Sequence, residues 1–151
     1  MFRRILITGA AGFVGGLVYR HFARDAANYQ TFALDRSEDP SARVPEGMKL
    51  RFPPGGMFRE DLAVSDRLEE VCQGIDVIVH LAAEPRLEAP EEAVARDNVT
   101  ATTRLYEAAS RAGVRKIILG STIVVMAGYG CQEPFRSIQE GRRNRMPLLA
   151  R

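Results

Sequence analysis

No run in this 151-residue chain approaches the roughly 20 consecutive apolar residues that cross a bilayer. Met-Phe-Arg-Arg leads straight into a strand-like segment without a signal-peptide pattern. A cytoplasmic location and no membrane partner are expected. There are only two cysteines, Cys72 and Cys131, far apart and at no metal-ligand or redox spacing, which excludes a disulfide framework and points to reduced thiols. No metal site is expected. The net charge of +2 is local: the last ten residues, RRNRMPLLAR, hold four arginines and no acid, so residues 1–141 sum to −2. No interleaved aromatics or second basic stripe accompany them, so no nucleic-acid partner is expected.

What is present is an ordinary globular composition, 46% hydrophobic and 26% charged. The length suggests one domain, 1–128, followed by an irregular basic tail over 129–151. Apolar runs alternate with segments of helical spacing. "RRILITG", "TFALD", "MKLRF", "DVIVHLAA" and "RKIILGSTIVV" read as five strands. Between them, Val14, Leu17, Val18 and Phe22 predict an inward-facing stripe on a helix over 13–26, and "SDRLEEVCQG" predicts a short helix capped by Ser65. A long helix is predicted over 90–112, with Pro90 at its first position, Gly113 as its cap, and Val94, Ala101, Leu105, Ala108 and Ala112 on one apolar face. This alternation predicts an α/β doubly wound parallel sheet in the order 3-2-1-4-5, a Rossmann-like architecture.

The first strand ends in Gly9-x-x-Gly12-x-x-Gly15 and a helix follows at once. Small residues let the backbone turn tightly, and the free N–H groups at the helix start attract a pyrophosphate. Gly15 permits close packing of helix on strand, while Gly16 has no assigned role. Asp35 ends the second strand, 20 residues beyond Gly15, where a carboxylate can accept from both hydroxyls of an adenosine ribose and repel a 2′-phosphate. NAD is therefore expected as cofactor and NADP less so, although the neighbouring Arg36 could accommodate that phosphate.

Together "ITGAAGFVGG", "LDR", "EDL", "DVIVHLAAEP" and "DNVTATTRLYEAASRAGVRKIILGST" resemble the NAD-dependent epimerase/dehydratase family, the extended short-chain dehydrogenases that act on sugar nucleotides and uronates. The resemblance runs from Arg4 to about Gly128, and "EPFRSIQEGR" is also similar to members of the group. It implies that Gly9, Ala11, Gly12, Phe13 and Gly15 form the pyrophosphate loop and that Asp35 binds the ribose. It further implies that Asp61 and Leu62 contact adenine, that Leu81, Ala82 and Ala83 lie against the cofactor, and that Asn98 supports the site. Ser121 and Thr122 match a hydroxyl pair, with Thr122 polarising the substrate oxygen. His80 matches a structural histidine, and His21 is expected to be a partly buried packing residue.

The resemblance also implies a catalytic Tyr-x-x-x-Lys pair, which this sequence does not contain. Its tyrosines are Tyr19, Tyr29, Tyr106 and Tyr129, its lysines only Lys49 and Lys116, and Val125-Met126-Ala127 replaces a common Val-Tyr-Gly. The chain is thus expected to stop about halfway through a family member, without the C-terminal part of the fold. Three functions stay open: the NAD-holding part of an oxidoreductase on a sugar or sugar nucleotide, a non-catalytic NAD-binding module, and a self-associating structural protein. A homodimer or larger assembly is expected, because a helix flank and a sheet edge would be left unpartnered.

Overall fold

β1 (Arg3–Thr8) sends Ile5 and Ile7 to one face and Leu6 to the other, so each face of this one apolar run seeds a separate core. The structure, a computed structural model, describes residues 3–122, 133 and 135–142. β2 (Tyr29–Asp35), β3 (Met57–Arg59), β4 (Val77–His80) and β5 (Lys116–Leu119) complete a five-stranded sheet in the order β3-β2-β1-β4-β5. All four pairings are parallel, as the alternation of strand and helix predicts.

α1 (Phe13–Ala23) covers the Ile5 and Ile7 face through Tyr19, with Val18 and Phe22 packed alongside. α2 (Leu68–Cys72) and the long helix cover the Leu6 face, where Leu68, Val71, Leu105, Ala108 and Ala109 close the larger core. The long helix runs as α3 (Glu91–Val94), a π-helical segment Ala95–Thr100, and α4 (Ala101–Arg111). Pro90 caps it from outside rather than occupying its first position, and Gly113 follows its end at φ +75°.

Several expectations are corrected. "MKLRF" is not a strand: Leu50 and Phe52 pack as loop against the α1 core, and β3 begins only after Pro53 and Gly56 have turned the chain. Val14 and Leu17 are exposed, because the loop seats α1 on the sheet through Gly15 and Tyr19 and turns the predicted stripe partly outward. His21 is likewise exposed, beside Phe22. Ser65 accepts from the Arg67 amide without capping α2, which has no side-chain cap. β5 stops at Leu119, and its predicted continuation through Val125 lies partly outside the described residues.

The chain divides into two compact units, Met1–Gly120 and Ser121–Arg151, and the sheet belongs to the first. In the second, within the span expected to be irregular, Phe135–Gln139 forms a short helix, α5. Val125, Met126, Ala127, Tyr129 and Cys131 lie outside the described residues. No helix among the described residues is long and apolar enough to cross a membrane.

Candidate functional site

β1 pairs with β2 on one side and β4 on the other, so the connections leaving β1 and β4 diverge at the carboxyl ends of the strands. A crevice opens where strand order reverses. It has a volume of about 660 Å³ and is walled by the loop after β1, the end of β2, Asp61 and Leu62, the loop after β4, and Asp97. That volume falls in the range of small-molecule sites.

The loop after β1 is built on two close approaches. Gly9 has φ +70°, and a Cβ there would lie 2.7 Å from the Ala82 amide nitrogen. A Cβ on Gly15 would lie 2.0 Å from the Gly9 carbonyl oxygen. Only glycine lets α1 start directly against the loop. Gly12 precedes the helix with no side-chain cap, and its own amide donates to Gly9 O at 3.0 Å. The amides of Phe13, Val14 and Gly15 then form a first helical turn with no acidic side chain and no acceptor among the described residues. Three unspent N–H groups at the positive end of a helix dipole suit an anion.

Asp35 fixes this loop from the side. Its Oδ2 accepts from the Ala11 amide at 3.0 Å and its Oδ1 from the Ser37 amide at 3.4 Å, so the carboxylate stands at the cleft wall.

The floor is set by Thr8. Its hydroxyl oxygen accepts from the amides of both Leu81 and Ala82 at 3.2 Å and lies 2.7 Å from His80 Nδ1. With both its lone pairs used, Thr8 donates its proton to Nδ1, so the His80 proton sits on Nε2 and goes to Thr102 Oγ1, 2.9 Å away. Burial pushes the His80 pKa down to about 4, consistent with a neutral ring. His80 is therefore a structural post between sheet and helix, as the sequence implies. Because Thr8 takes the amides of residues 81 and 82, β4 ends at His80 and the next residues open into the cleft.

The π segment serves three places with three consecutive residues. Arg96 pairs with Asp61 and Asp97, Asp97 Oδ2 accepts from Arg36 at 3.0 Å, and the Asn98 amide clamps the backbone of Glu84. In that clamp Oδ1 accepts from Glu84 N at 2.7 Å while Nδ2 donates to Glu84 O at 3.1 Å. Asn98 is therefore spent on the loop after β4 and does not line the cleft. Burial acts to raise the Asp61 pKa, but hydrogen bonds from Arg96 and the Ala63 amide, with the charges of Arg96 and Arg36, outweigh it and leave it below the usual value.

Sequence reasoning assigned no role to the buried Glu84, to Arg86, or to Asp97. Arg86 forks onto Glu84 through Nε and Nη2, both at 2.8 Å, and adds its backbone amide. Those hydrogen bonds from the Arg86 side chain and then its amide pull the Glu84 carboxyl down to about 2. The only sequence signal was their adjacency in "HLAAEPR" and "RDN".

Gly9, Ala11, Gly12, Phe13, Gly15, Asp35, Arg36, Asp61, Leu62, Leu81, Ala82 and Ala83 are thus brought together around one cleft. Ser121 and Thr122 belong to the second unit, where both are exposed. Residues 5–144 match the NAD dependent epimerase/dehydratase family. The chain belongs to that family.

This epimerase/dehydratase chain is 28% identical to an NAD-dependent glucose-6-phosphate dehydrogenase of Haloferax volcanii over 125 residues, 83% of this chain and 45% of that protein. With an L-arabinose 1-dehydrogenase (NAD(P)(+)) of the same organism it shares 31% identity over 134 residues, 88% and 46% of the two. Among solved structures, a mutant uronate dehydrogenase from Agrobacterium tumefaciens complexed with NAD matches with a TM-score of 0.62 at 27% identity, covering 81% of this chain and 42% of that one. The epimerase/dehydratase chain spans a little under half the length of the relatives it matches.

Proposed function

We propose that the first unit holds NAD in this cleft, as the cofactor-binding part of a cytoplasmic oxidoreductase of the epimerase/dehydratase or uronate-dehydrogenase kind. The observation that carries the reading is the unspent first turn of α1, facing the same cleft as the Asp35 carboxylate. When bound, NAD supplies a hydride acceptor. The amides of Phe13, Val14 and Gly15 receive the pyrophosphate charge, and Asp35 keeps lone pairs for the ribose hydroxyls beyond its bonds to Ala11 and Ser37. Asp61 and Leu62 border the adenine, with an Asp61 oxygen accepting from its exocyclic amine. Leu81, Ala82 and Ala83 give the nicotinamide half a small-residue wall, and Asn98 positions the adjoining loop.

The substrate class on this reading is a sugar or sugar nucleotide, with Ser121 and Thr122 as hydroxyls for its reacting oxygen. Turnover by this chain alone is not expected, because no tyrosine in it has a lysine four positions on to lower its pKa. Isothermal titration should show NAD binding without NADH formation from any uronate or nucleotide sugar. Asp35→Ala should weaken NAD binding about tenfold, the size of two charge-assisted hydrogen bonds partly replaced by water. An unchanged affinity would remove Asp35 from the ribose site, and NADH production would overturn the expected lack of turnover.

A second reading, self-association in place of catalysis, is favoured by exposed apolar side chains. Val99 and Tyr106 on the long helix are 62% and 41% exposed, and Ile118 and Leu119 on β5 are also exposed. Such surface is costly in water and suits a second copy of the chain. Light scattering at micromolar concentration should give a mass of at least two chains; a monomer would end this reading while leaving NAD binding intact.

A further inference from the structure

Arg36 follows the ribose-facing Asp35 on the cleft wall, where a guanidinium could receive a 2′-phosphate. It is already engaged. Its Nη1 donates to Asp97 Oδ2 at 3.0 Å, in an ion pair that joins the end of β2 to the π segment of the long helix. The Asp97 side chain is 15% exposed and is also paired with Arg96, so it is held in place, whereas Arg36 is 58% exposed. Asp61 and Glu84 both feel the Arg36 charge, so three acids surround this one cation.

We propose that Asp97 is a specificity-determining residue for the cofactor: by holding Arg36 in an ion pair it withholds that guanidinium from the 2′-phosphate of NADP, and so favours NAD. The inference rests on the cofactor reading above. An incoming phosphate must either break the Arg36–Asp97 pair or bring its own negative charge close to Asp35, Asp97 and Asp61 at once. Both are unfavourable in a partly enclosed cleft, where charges are screened less than on an open surface. NAD, with a neutral hydroxyl at that position, meets neither obstacle.

A second guanidinium on the wall, Arg86, is committed to Glu84 and offers no substitute. Arg43, on the loop after β2, lines the cleft without an ion pair among the described residues, so it is the competing source of any affinity for the phosphate. A double-mutant cycle separates the two.

The test is titration of NAD and NADP, each followed by calorimetry, into the 151-residue chain and its Asp97→Asn, Arg36→Gln and doubly substituted variants. Asp97→Asn should raise the affinity for NADP relative to NAD about fivefold to tenfold, as one charge-assisted contact becomes available. Arg36→Gln alone should move NADP affinity little, and in the Asp97→Asn background it should erase the gain. Asp97→Ser should act in the same direction and stands in if the asparagine variant does not fold. An unchanged NADP to NAD ratio in both Asp97 variants overturns the inference, and so does a gain that survives Arg36→Gln, which would assign the phosphate to Arg43. Failure of the unsubstituted chain to bind NAD overturns the cofactor reading itself, and this inference with it.

Discussion

Gly15→Ala is expected to lower stability by about 3 kcal/mol or more, as severe overpacking does, and to abolish measurable NAD binding. The added Cβ would lie 2.0 Å from the Gly9 carbonyl oxygen, 2.6 Å from its carbon and 3.1 Å from Ala10 Cα. All three are backbone atoms, so no side chain can swing aside. The loop cannot retreat either, because Gly9 donates to Leu34 O at 2.9 Å and already abuts the backbone of Leu81 and Ala82. Relief must come from moving α1, which carries Tyr19 and its partners out of the core and misplaces the amides of the first turn. Gly47→Ala is the control, since a Cβ there meets nothing within 4 Å. Urea unfolding and an NAD titration read both effects. An alanine variant of undiminished stability would show that α1 does not start against Gly9.

Thr8→Val should cost about 3 kcal/mol although it keeps the side-chain shape, because it strands buried partners worth about 1–3 kcal/mol each. The amides of Leu81 and Ala82 lose their acceptor, and His80 Nδ1 loses its donor. The same network gives the unsubstituted chain a pH signature. The folded pKa of His80 is depressed to about 4 from an ordinary 6.5, so between these values the unfolded chain binds more protons. The His80 contribution is therefore complete above pH 6.5 and is lost as the pH falls towards 4. Its size is on the order of 3 kcal/mol at about 1.4 kcal/mol per pH unit. Chemical unfolding from pH 7 down to 4.5 should show most of that loss, before the Glu84 carboxylate, held down to about 2, begins to protonate. A flat profile over this window would mean that His80 is not held neutral, and an unchanged unfolding midpoint in Thr8→Val would dismiss the hydroxyl as a support.

How legible these features were in the sequence depends on how local their causes are. β1, β2 and β4 were readable because strands buried on both faces need continuous apolar runs, and the glycine spacing was readable because its cause lies within a few residues. β3 was not: three residues carry no periodicity, and the longer "MKLRF", with its alternation of apolar and charged residues, was the stronger local signal for a strand it does not form. The stripe on α1 was read correctly as apolar, but its rotation is set by Gly15 against Gly9, a contact that hydrophobic spacing does not encode. His80 was placed as structural, yet its two threonine partners come from β1 and from the long helix, 72 and 22 residues away. The pairs Arg36–Asp97 and Asp61–Arg96 span 61 and 35 residues, and no pattern within either segment announces them.

The π-helical segment also constrains how this helix can change over time. Its wider turn introduces a phase offset between the residues before and after it. Residues 96–98 address Asp61, Arg36 and the Glu84 backbone around the cleft, whereas Ala101, Leu105 and Ala108 address the core on a separate register. Substitutions on the cleft side can therefore accumulate without disturbing the packing side. Loss of a single residue from the segment is different: it would tighten the wide turn to an ordinary α-helical one, leaving Leu105 on the sheet but shifting Arg96, Asp97 and Asn98 relative to Asp61, Arg36 and Glu84. The core side of the helix survives either kind of change, whereas the cleft side depends on the segment keeping its length.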